Sequence, residues 1–198
     1  MRYVKGHGLQ TRSRIVETAS YGLRQNGADG LSVVDLMKLA GLTHGGFYSH
    51  FESREALVIE AFAQAMDRTV SNWLKLTEGM PVEERFDAVV EGYISPGHRD
   101  NRAGGCVLPA LSTDIARSSP KARRLFASKL DEMIDAVARL FPKKPPKEAR
   151  QLATSVLATM MGSIVLARAA GDKKLSNDIL EAGRKALRRQ SATRRSSR

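Results

Sequence analysis

Residues 32–51, SVVDLMKLAGLTHGGFYSHF, carry the pattern that decides the fold of the N-terminal part of this 198-residue chain. Ser32 is a favourable N-cap residue, and Asp35, three positions later, takes the acidic position of a capping box. Gly41 can adopt the left-handed conformation that ends a helix, and Thr43 can cap a second helix. Two short helices joined by a tight turn are typical of a helix-turn-helix, whose second helix enters the major groove of DNA.

Each of these two helices is expected to bury one side. Leu36, Leu39 and Ala40 form the predicted apolar stripe of the first helix. In the second helix, Phe47 and Phe51 are four positions apart and are expected to face the core. The side chains that remain on the outside are Thr43, His44, Gly45, Tyr48, Ser49 and His50.

A longer series of residues surrounds this motif, from about Thr11 to Phe62. It comprises Arg14-Ile15-Val16, Ala19, Gly27, Ser32, Asp35-Leu36, Ala40-Gly41-Leu42-Thr43, Gly45, Phe47-Tyr48, His50-Phe51 and Ser53-Arg54-Glu55-Ala56-Leu57. The series resembles the DNA-binding domain of the TetR family of bacterial transcriptional regulators. Met37 departs from the family pattern, in which alanine is commoner, so we expect the packing around it to differ.

Helical periodicity fills most of the chain, and we therefore predict an all-α fold of about nine helices. We expect a helix-turn-helix DNA-binding domain over residues 1–52, a ligand-binding and dimerisation domain over 53–190, and a disordered basic tail over 191–198. Residues 1–10 and 96–105 are predicted to lack helix. Besides the two helices of the motif, which follow the caps Ser32 and Thr43, helices are predicted over residues 11–26, 54–78, 82–94, 106–116, 120–141, 147–170 and 176–189.

Charge and composition favour a cytoplasmic protein. The net charge of +11 comes mostly from residues 142–198, far in sequence from the helix-turn-helix. Residues 184–198 contain seven basic and no acidic side chains, which is typical of a solvated tail or of a nonspecific contact with nucleic acid. The single cysteine, the polar N-terminus and the lack of a long apolar run predict no disulfide, no signal peptide and no membrane partner.

The exposed residues of the helix-turn-helix are predicted to divide the work of DNA binding. Gly45 lets the backbone approach the groove. We assign base-edge contacts to Thr43, His44 and Ser49, and phosphate contacts to Ser32, Tyr48, His50 and Arg54. The resemblance implies that Tyr48 and Arg54 hold the DNA backbone. A capping or core role for His50 and a nonspecific phosphate contact for His44 are the alternatives, and Arg2 and Lys5 could enter the minor groove.

Large apolar residues on several predicted helices indicate a pocket for a small hydrophobic effector. Tyr93 offers a polar group in that pocket, and Trp73 is the only tryptophan of the chain. Core packing is the alternative explanation for each residue. The predicted lining consists of Phe62, Met66, Trp73, Phe86, Tyr93, Cys106, Leu111, Phe126, Met133 and Met160.

Cys106 supports a second interpretation of the function. It follows two glycines at the predicted start of a helix, where the helix dipole favours a thiolate, and His98, Arg99 and Arg102 are close in sequence. A thiol-based sensor of oxidants or electrophiles, or a helical enzyme centred on Cys106, is therefore the rival to a ligand-responsive repressor. A small buried apolar residue is the simpler explanation. The chain lacks the helical zinc signature and the glycine-rich phosphate loop, so we predict no metal, no cofactor and no enzymatic activity.

The last two predicted helices indicate a homodimer. Their large apolar residues have small neighbours such as Ala153, Ala158 and Gly162, which allow helices to approach closely. The resemblance implies that these helices form a four-helix interface between two copies, and the core of a monomer is the alternative. A homodimer would present two helix-turn-helix motifs, one from each copy, to a palindromic double-stranded operator.

Overall fold

Helices form the whole fold in residues 5–28, 30 and 32–192, which are the residues that this computed structural model describes. Ten helical segments follow one another, and no strand occurs in these residues. They are α1 (Lys5–Asn26), α2 (Val33–Leu39), the 3-10 helix η1 (His44–Ser49), α3 (Arg54–Leu76), α4 (Val82–Tyr93), α5 (Pro96–Asp100), α6 (Leu108–Ala116), α7 (Pro120–Ala138), α8 (Pro146–Ala169) and α9 (Lys173–Ala192). The predicted all-α fold is confirmed.

The first helix is longer than predicted. α1 begins at Lys5 instead of residue 11, so the prediction that residues 1–10 lack helix is wrong from Lys5 onward. Glycines near its start lower helix propensity without ending the helix, because they cost only about 1 kcal/mol each relative to alanine. Arg2 and the side chain of Lys5, both predicted to reach the minor groove, lie outside the described residues and side chains, as do residues 193–198 of the predicted tail.

The predicted loop 96–105 contains the short helix α5. Pro96 occupies its first turn, and the Ser95 hydroxyl accepts a hydrogen bond from His98 N, so the segment has both signals of a helix start. The next helix begins later than predicted. α6 starts at Leu108, and Cys106 therefore precedes the helix by two residues instead of opening it.

α2 packs on α1 and on η1, and the helix-turn-helix buries apolar side chains, among them Phe47 and Phe51, which both face the core as predicted. The prediction for Leu39 is wrong, because its side chain is 61% exposed. The buried face of α2 consists of Leu36, Met37 and the C-cap residue Ala40. At about 100° per residue these three positions fall within one narrow arc, and Leu39 lies outside it.

Met37 packs next to Gly46 of η1. A Cβ atom at Gly46 would lie 3.7 Å from Met37 Cε, which is an ordinary van der Waals distance. Met37 is 1% exposed and belongs to the core. The altered packing that we expected around Met37 therefore involves Gly46 of η1.

The C-terminal part consists of helices packed around α8. α8 contacts α6, α7 and α9, and nine of its residues are buried. By length and composition alone α8 could cross a membrane, but its buried face is that of a core helix. α9 approaches it closely, since a Cβ atom at Gly183 would lie 2.2 Å from Ser163 Oγ.

Candidate DNA-binding surface and ligand cavity

Ser32 and Asp35 form the capping box that the sequence predicts at the start of α2. Asp35 N donates to Ser32 Oγ (3.1 Å), while Ser32 N and Oγ donate to Asp35 Oδ2 (3.1 and 2.6 Å). The hydrogen bonds from Ser32 lower the pKa of Asp35. Because both donors of Ser32 already have an acceptor, its first role is to cap α2, and its phosphate contact stays a prediction.

η1 is the second helix of the helix-turn-helix, and we call it the reading helix because this helix is the one expected to enter the major groove. One side of it is exposed and mostly polar. Phe47 is fully buried and stacks on Phe51 with 5.7 Å between ring centroids, which anchors the helix. Tyr48 is 68% exposed, and its ring meets the edge of the His44 ring at 6.3 Å. The predicted residues exposed on this side are Thr43, His44, Gly45, Tyr48 and Ser49.

The reading helix is a 3-10 helix of six residues, tighter than the α-helix of the usual motif. Gly45 and Gly46 are poor α-helix formers and lie in its first turn. The Ser49 hydroxyl donates to Gly46 O (2.7 Å), so a base contact by Ser49 would compete with this bond. His44 and Tyr48 are therefore the large exposed side chains that this helix offers to DNA.

Two further predicted phosphate contacts have structural partners. The Arg54 guanidinium donates to Ala28 O in the loop between α1 and α2. His50 is half-buried, caps η1 through its N–H, and its carbonyl accepts from Arg12 Nε (3.4 Å). Arg54 therefore holds the α1–α2 loop and His50 closes the end of η1, and their phosphate contacts stay predictions.

Hydrogen bonds connect the DNA-binding domain to the C-terminal helices. Ala28 N donates to Asp114 Oδ2 of α6 (3.0 Å), and Arg24 Nη1 of α1 donates to Gly105 O (3.1 Å). Ser119 N, at the start of α7, donates to Glu55 Oε1 at the start of α3, just after the helix-turn-helix (3.3 Å). The segment 105–119 is therefore hydrogen-bonded to α1, to the α1–α2 loop and to the first turn of α3.

A cavity of about 380 Å³ opens between α3, α4 and the segment 97–106. Trp73, Tyr93 and Cys106 of the predicted pocket line it. The sequence prediction missed its polar lining residues, chiefly Thr69, Asn72, His98 and Asn101. No charged side chain occurs among the described residues that line the cavity.

His98 is held in one neutral form by two backbone groups. Its Nε2 accepts from Cys106 N (2.9 Å), so its Nδ1 carries the proton and donates to Tyr93 O (2.7 Å). Burial lowers the pKa of His98. Its ring also meets the edge of the Tyr93 ring with 4.4 Å between centroids. His98 thus shapes the cavity and has no ring nitrogen left for a ligand.

Cys106 does not have the thiolate character that the sequence suggested. Its thiol is buried, and burial raises the pKa of Cys106 despite hydrogen bonds with Tyr93 and Thr69. α6 begins two residues later, and a backbone hydrogen bond from its first residue, Leu108, lowers the pKa of Cys106 by less than burial raises it. Arg99 is not part of the cavity lining, and its guanidinium binds Asp100, Ser176 and Asn177.

The other predicted pocket residues lie in the core. Phe62 packs against Phe126 with 5.5 Å between ring centroids, and Phe86 packs against Phe141 at 5.2 Å. Seven of the ten predicted pocket residues are absent from the lining of the cavity that Trp73, Tyr93 and Cys106 share. These seven, Phe62, Met66, Phe86, Leu111, Phe126, Met133 and Met160, are buried or half-buried in the apolar core.

Comparison with known proteins defines the class of this chain. Residues 15–61 match the family model "Bacterial regulatory proteins, tetR family". Residues 81–180 match the model "Transcriptional regulator LmrA/YxaF-like, C-terminal domain". Together with the exposed reading helix, these matches show a helix-turn-helix transcriptional regulator. The chain belongs to the TetR family.

Individual relatives agree with this assignment. An uncharacterised HTH-type transcriptional regulator of Mycobacterium tuberculosis is 28% identical over 170 residues, covering 81% of this chain and 86% of that protein. The HTH-type transcriptional repressor DhaR of Mycobacterium sp. strain GP1 is 33% identical over 118 residues, covering 57% of this chain and 56% of DhaR. A TetR regulator structure from Chloroflexus aurantiacus superposes with a TM-score of 0.76 at 25% identity, covering 91% and 93% of the two chains.

Proposed function

We propose that this regulator is a cytoplasmic repressor that binds a palindromic operator as a homodimer and releases it when a small uncharged ligand fills the cavity beside Trp73. The observation that carries the proposal is the pair of hydrogen bonds that join the cavity segment and α6 to the DNA-binding domain. Repression is also the activity by which the relative DhaR, an HTH-type transcriptional repressor, is named.

The DNA-binding half of the proposal rests on η1. The imidazole of His44 can hydrogen-bond a guanine acceptor in the major groove, and the Thr43 methyl can contact a thymine methyl. The exposed Tyr48 hydroxyl is placed at the same surface for a phosphate. We infer that His44 reads a base and that Tyr48 sets affinity for any sequence.

The homodimer rests on the outer faces of α8 and α9. Val165 and Leu166 of α8 are 40% and 60% exposed, and Leu175 of α9 is 51% exposed. Ala158 and Gly162 lie on the same outer side of α8 and would let a partner helix approach closely. Covering these apolar residues with a second copy is favourable at about 25 cal/mol per Å² of apolar surface.

The ligand class follows from the cavity lining. The rings of Trp73 and Tyr93 lie 6.0 Å apart, and they offer faces on which an aromatic ligand can stack. Asn72, Asn101 and Thr69 supply neutral hydrogen-bonding groups, and the absence of charge in the described lining disfavours an ion. We therefore refine the expected effector from hydrophobic to neutral, aromatic and partly polar.

The release mechanism rests on Gly105. This residue lines the cavity and its carbonyl accepts from Arg24 of α1, so a ligand that shifts residues 104–106 also shifts α1. α6 follows directly and carries Asp114, which holds the α1–α2 loop. A ligand that prefers the shifted arrangement would favour a conformation in which the two helix-turn-helix motifs of the dimer no longer fit the operator.

Fluorescence of Trp73 tests the ligand half of the proposal. A panel of neutral bicyclic and monocyclic aromatic compounds is titrated into the protein while tryptophan emission and operator binding are followed in parallel. We expect some compounds to change the emission saturably and to release DNA with the same concentration dependence. Compounds that release DNA without any change in emission would place the effector elsewhere.

A thiol sensor is less well supported by the geometry. The Cys106 thiol is buried and its pKa is raised, whereas a reactive cysteine has a lowered pKa and access to solvent. We therefore assign Cys106 to the wall of the ligand cavity.

A further inference from the structure

A second cleft, separate from the cavity beside Trp73, lies where the end of α1 meets the start of α6 and the end of α8. Its volume is about 370 Å³. Arg24, Arg102 and Arg168 line it, and no acidic residue occurs among the described residues of its lining. We call this site the arginine cleft. Asp100 and Asp114 lie beside the cleft and outside its lining, so they balance the three positive charges only in part, and the resulting potential favours an anion.

Arg24 is the most buried of the three arginines. Its side chain is 3% exposed, Nε donates to Ser20 O (3.0 Å) and Nη1 donates to Gly105 O (3.1 Å). Its buried Nη2 has no hydrogen-bond partner within the described part of the chain. Burial lowers the pKa of Arg24, with a further contribution from nearby Arg68 in the same direction. The guanidinium lies over the Tyr21 ring, 4.7 Å from its centroid, and Tyr21 raises the pKa of Arg24 in opposition to burial. Arginine stays charged in proteins, and no carboxylate in the described cleft lining pairs with this cation.

Arg168 is held in place by the chain, whereas Arg102 is exposed. Arg168 Nε donates to Arg99 O (3.0 Å) and Nη2 donates to His98 O (2.8 Å), which orients the guanidinium at the end of α8. Burial lowers the pKa of Arg168, repulsion from Arg102 lowers it further, and Asp100 raises it. Asp100 lies outside the arginine cleft and is bound by Arg99.

The rest of the described lining is uncharged and only partly apolar, since it includes Gln25 and Asn26 of α1. Pro109 and Ala110 of α6 supply apolar walls, and Val165 and Ala169 of α8 complete them where the cleft borders the proposed dimer face. A site that combines arginines with such walls suits a ligand with one anionic group and a small apolar body. Inorganic ions alone would leave the apolar walls without a partner.

We propose that the arginine cleft binds a small organic anion, carrying a carboxylate or phosphate group, at a site distinct from that of the neutral effector. The anion would contact α1, the segment after α5 and α8 together. The negative charge of the anion would attract all three guanidiniums and would offset the repulsion among them. Arginine binds carboxylate and phosphate through the same planar pair of N–H donors, so the geometry admits both groups.

Calorimetric titration of the full chain tests this site without DNA. Benzoate and phenyl phosphate are the anionic probes, and benzamide is their neutral counterpart, all at one ionic strength. We expect saturable binding of at least one anion at one site per chain, with benzamide about tenfold weaker or more. The stronger of the two anions identifies the preferred group.

Arg102→Gln is the informative variant, because the side chain is exposed and the substitution removes one charge from the cleft. We expect it to weaken anion binding about tenfold or more. Arg124→Gln removes one charge from an exposed position of α7 outside the cleft and should leave binding within about twofold.

Three results would overturn the proposal: no saturable binding of either anion, equal binding of benzamide, or equal loss in both variants. Equal loss would indicate a general effect of net charge, including that of the basic C-terminal residues. Thermal unfolding of both variants controls for folding, and wild-type unfolding temperature should rise with anion concentration.

Discussion

Replacing Asp114 by alanine should loosen the junction between the DNA-binding domain and the C-terminal helices. The carboxylate accepts from Ala28 N at 3.0 Å and pairs with Arg117 at 2.9 Å. The Arg117 side chain is 72% exposed, so this ion pair contributes little. The bond to Ala28 N is charge-assisted and partly shielded, and the Asp114 side chain is 21% exposed. We therefore expect a loss of about 1–2 kcal/mol in the free energy of unfolding.

A loss of this size lowers the midpoint of thermal unfolding by about 2–8 °C in a chain of this length. Calorimetry or circular dichroism measures the midpoint, and urea titration gives the free energy. Asp114→Asn is the matched control, because its amide oxygen still accepts from Ala28 N while the charge is removed. We expect the asparagine variant to keep more than half of the stability that alanine loses. Equal losses in the two variants, or no loss in either, would refute the assigned role of this bond.

Three further predictions concern the reading helix and the cavity. Tyr48→Phe should weaken binding to all DNA sequences alike, whereas His44→Ala should relax the preference at one base step by about 1–3 kcal/mol, as measured by binding to a set of mutated operators. An unchanged sequence preference in His44→Ala would remove its role as a base reader. Cys106→Ser should leave operator affinity and the release of DNA by the ligand unchanged. If oxidants or electrophiles release DNA from the wild-type protein but not from this variant, the thiol-sensor interpretation is restored. Folding lowers the pKa of His98, so below about pH 6.5 the unfolded chain binds more protons than the folded chain. The free energy of unfolding, measured by urea titration, should therefore fall as the pH drops through the folded pKa of His98. The decrease should be smaller in His98→Asn.

Local signals in the sequence were sufficient to predict the helix-turn-helix. The capping box of Ser32 and Asp35 and the buried pair Phe47 and Phe51 each depend on residues within four positions of one another. Leu39 was misjudged, because a seven-residue helix has a narrow buried face and Met37 occupies it instead.

The ligand cavity could be predicted only in part. Trp73, Tyr93 and Cys106 were identified as large or reactive residues, and the structure brings them to one cavity. Asn72 and Asn101 were missed, because an amide on a helix surface or in a loop has no periodic signal. The remaining apolar candidates are core residues, since periodicity marks a buried side of a helix without distinguishing packed core from cavity wall. The arginine cleft joins residues 24, 102 and 168, and no spacing in the sequence indicates such a contact.

Footprinting on the DNA that flanks the gene of this regulator tests most directly whether η1 reads an operator. We expect one protected segment with two related half-sites, whose centres are about one or two helical turns apart, on the order of 34–36 Å per turn. Protection should persist at a salt concentration that removes nonspecific binding, and it should disappear when η1 is altered at both His44 and Tyr48. Uniform coverage that salt abolishes, or protection that survives the double substitution, would contradict the claim that η1 reads an operator.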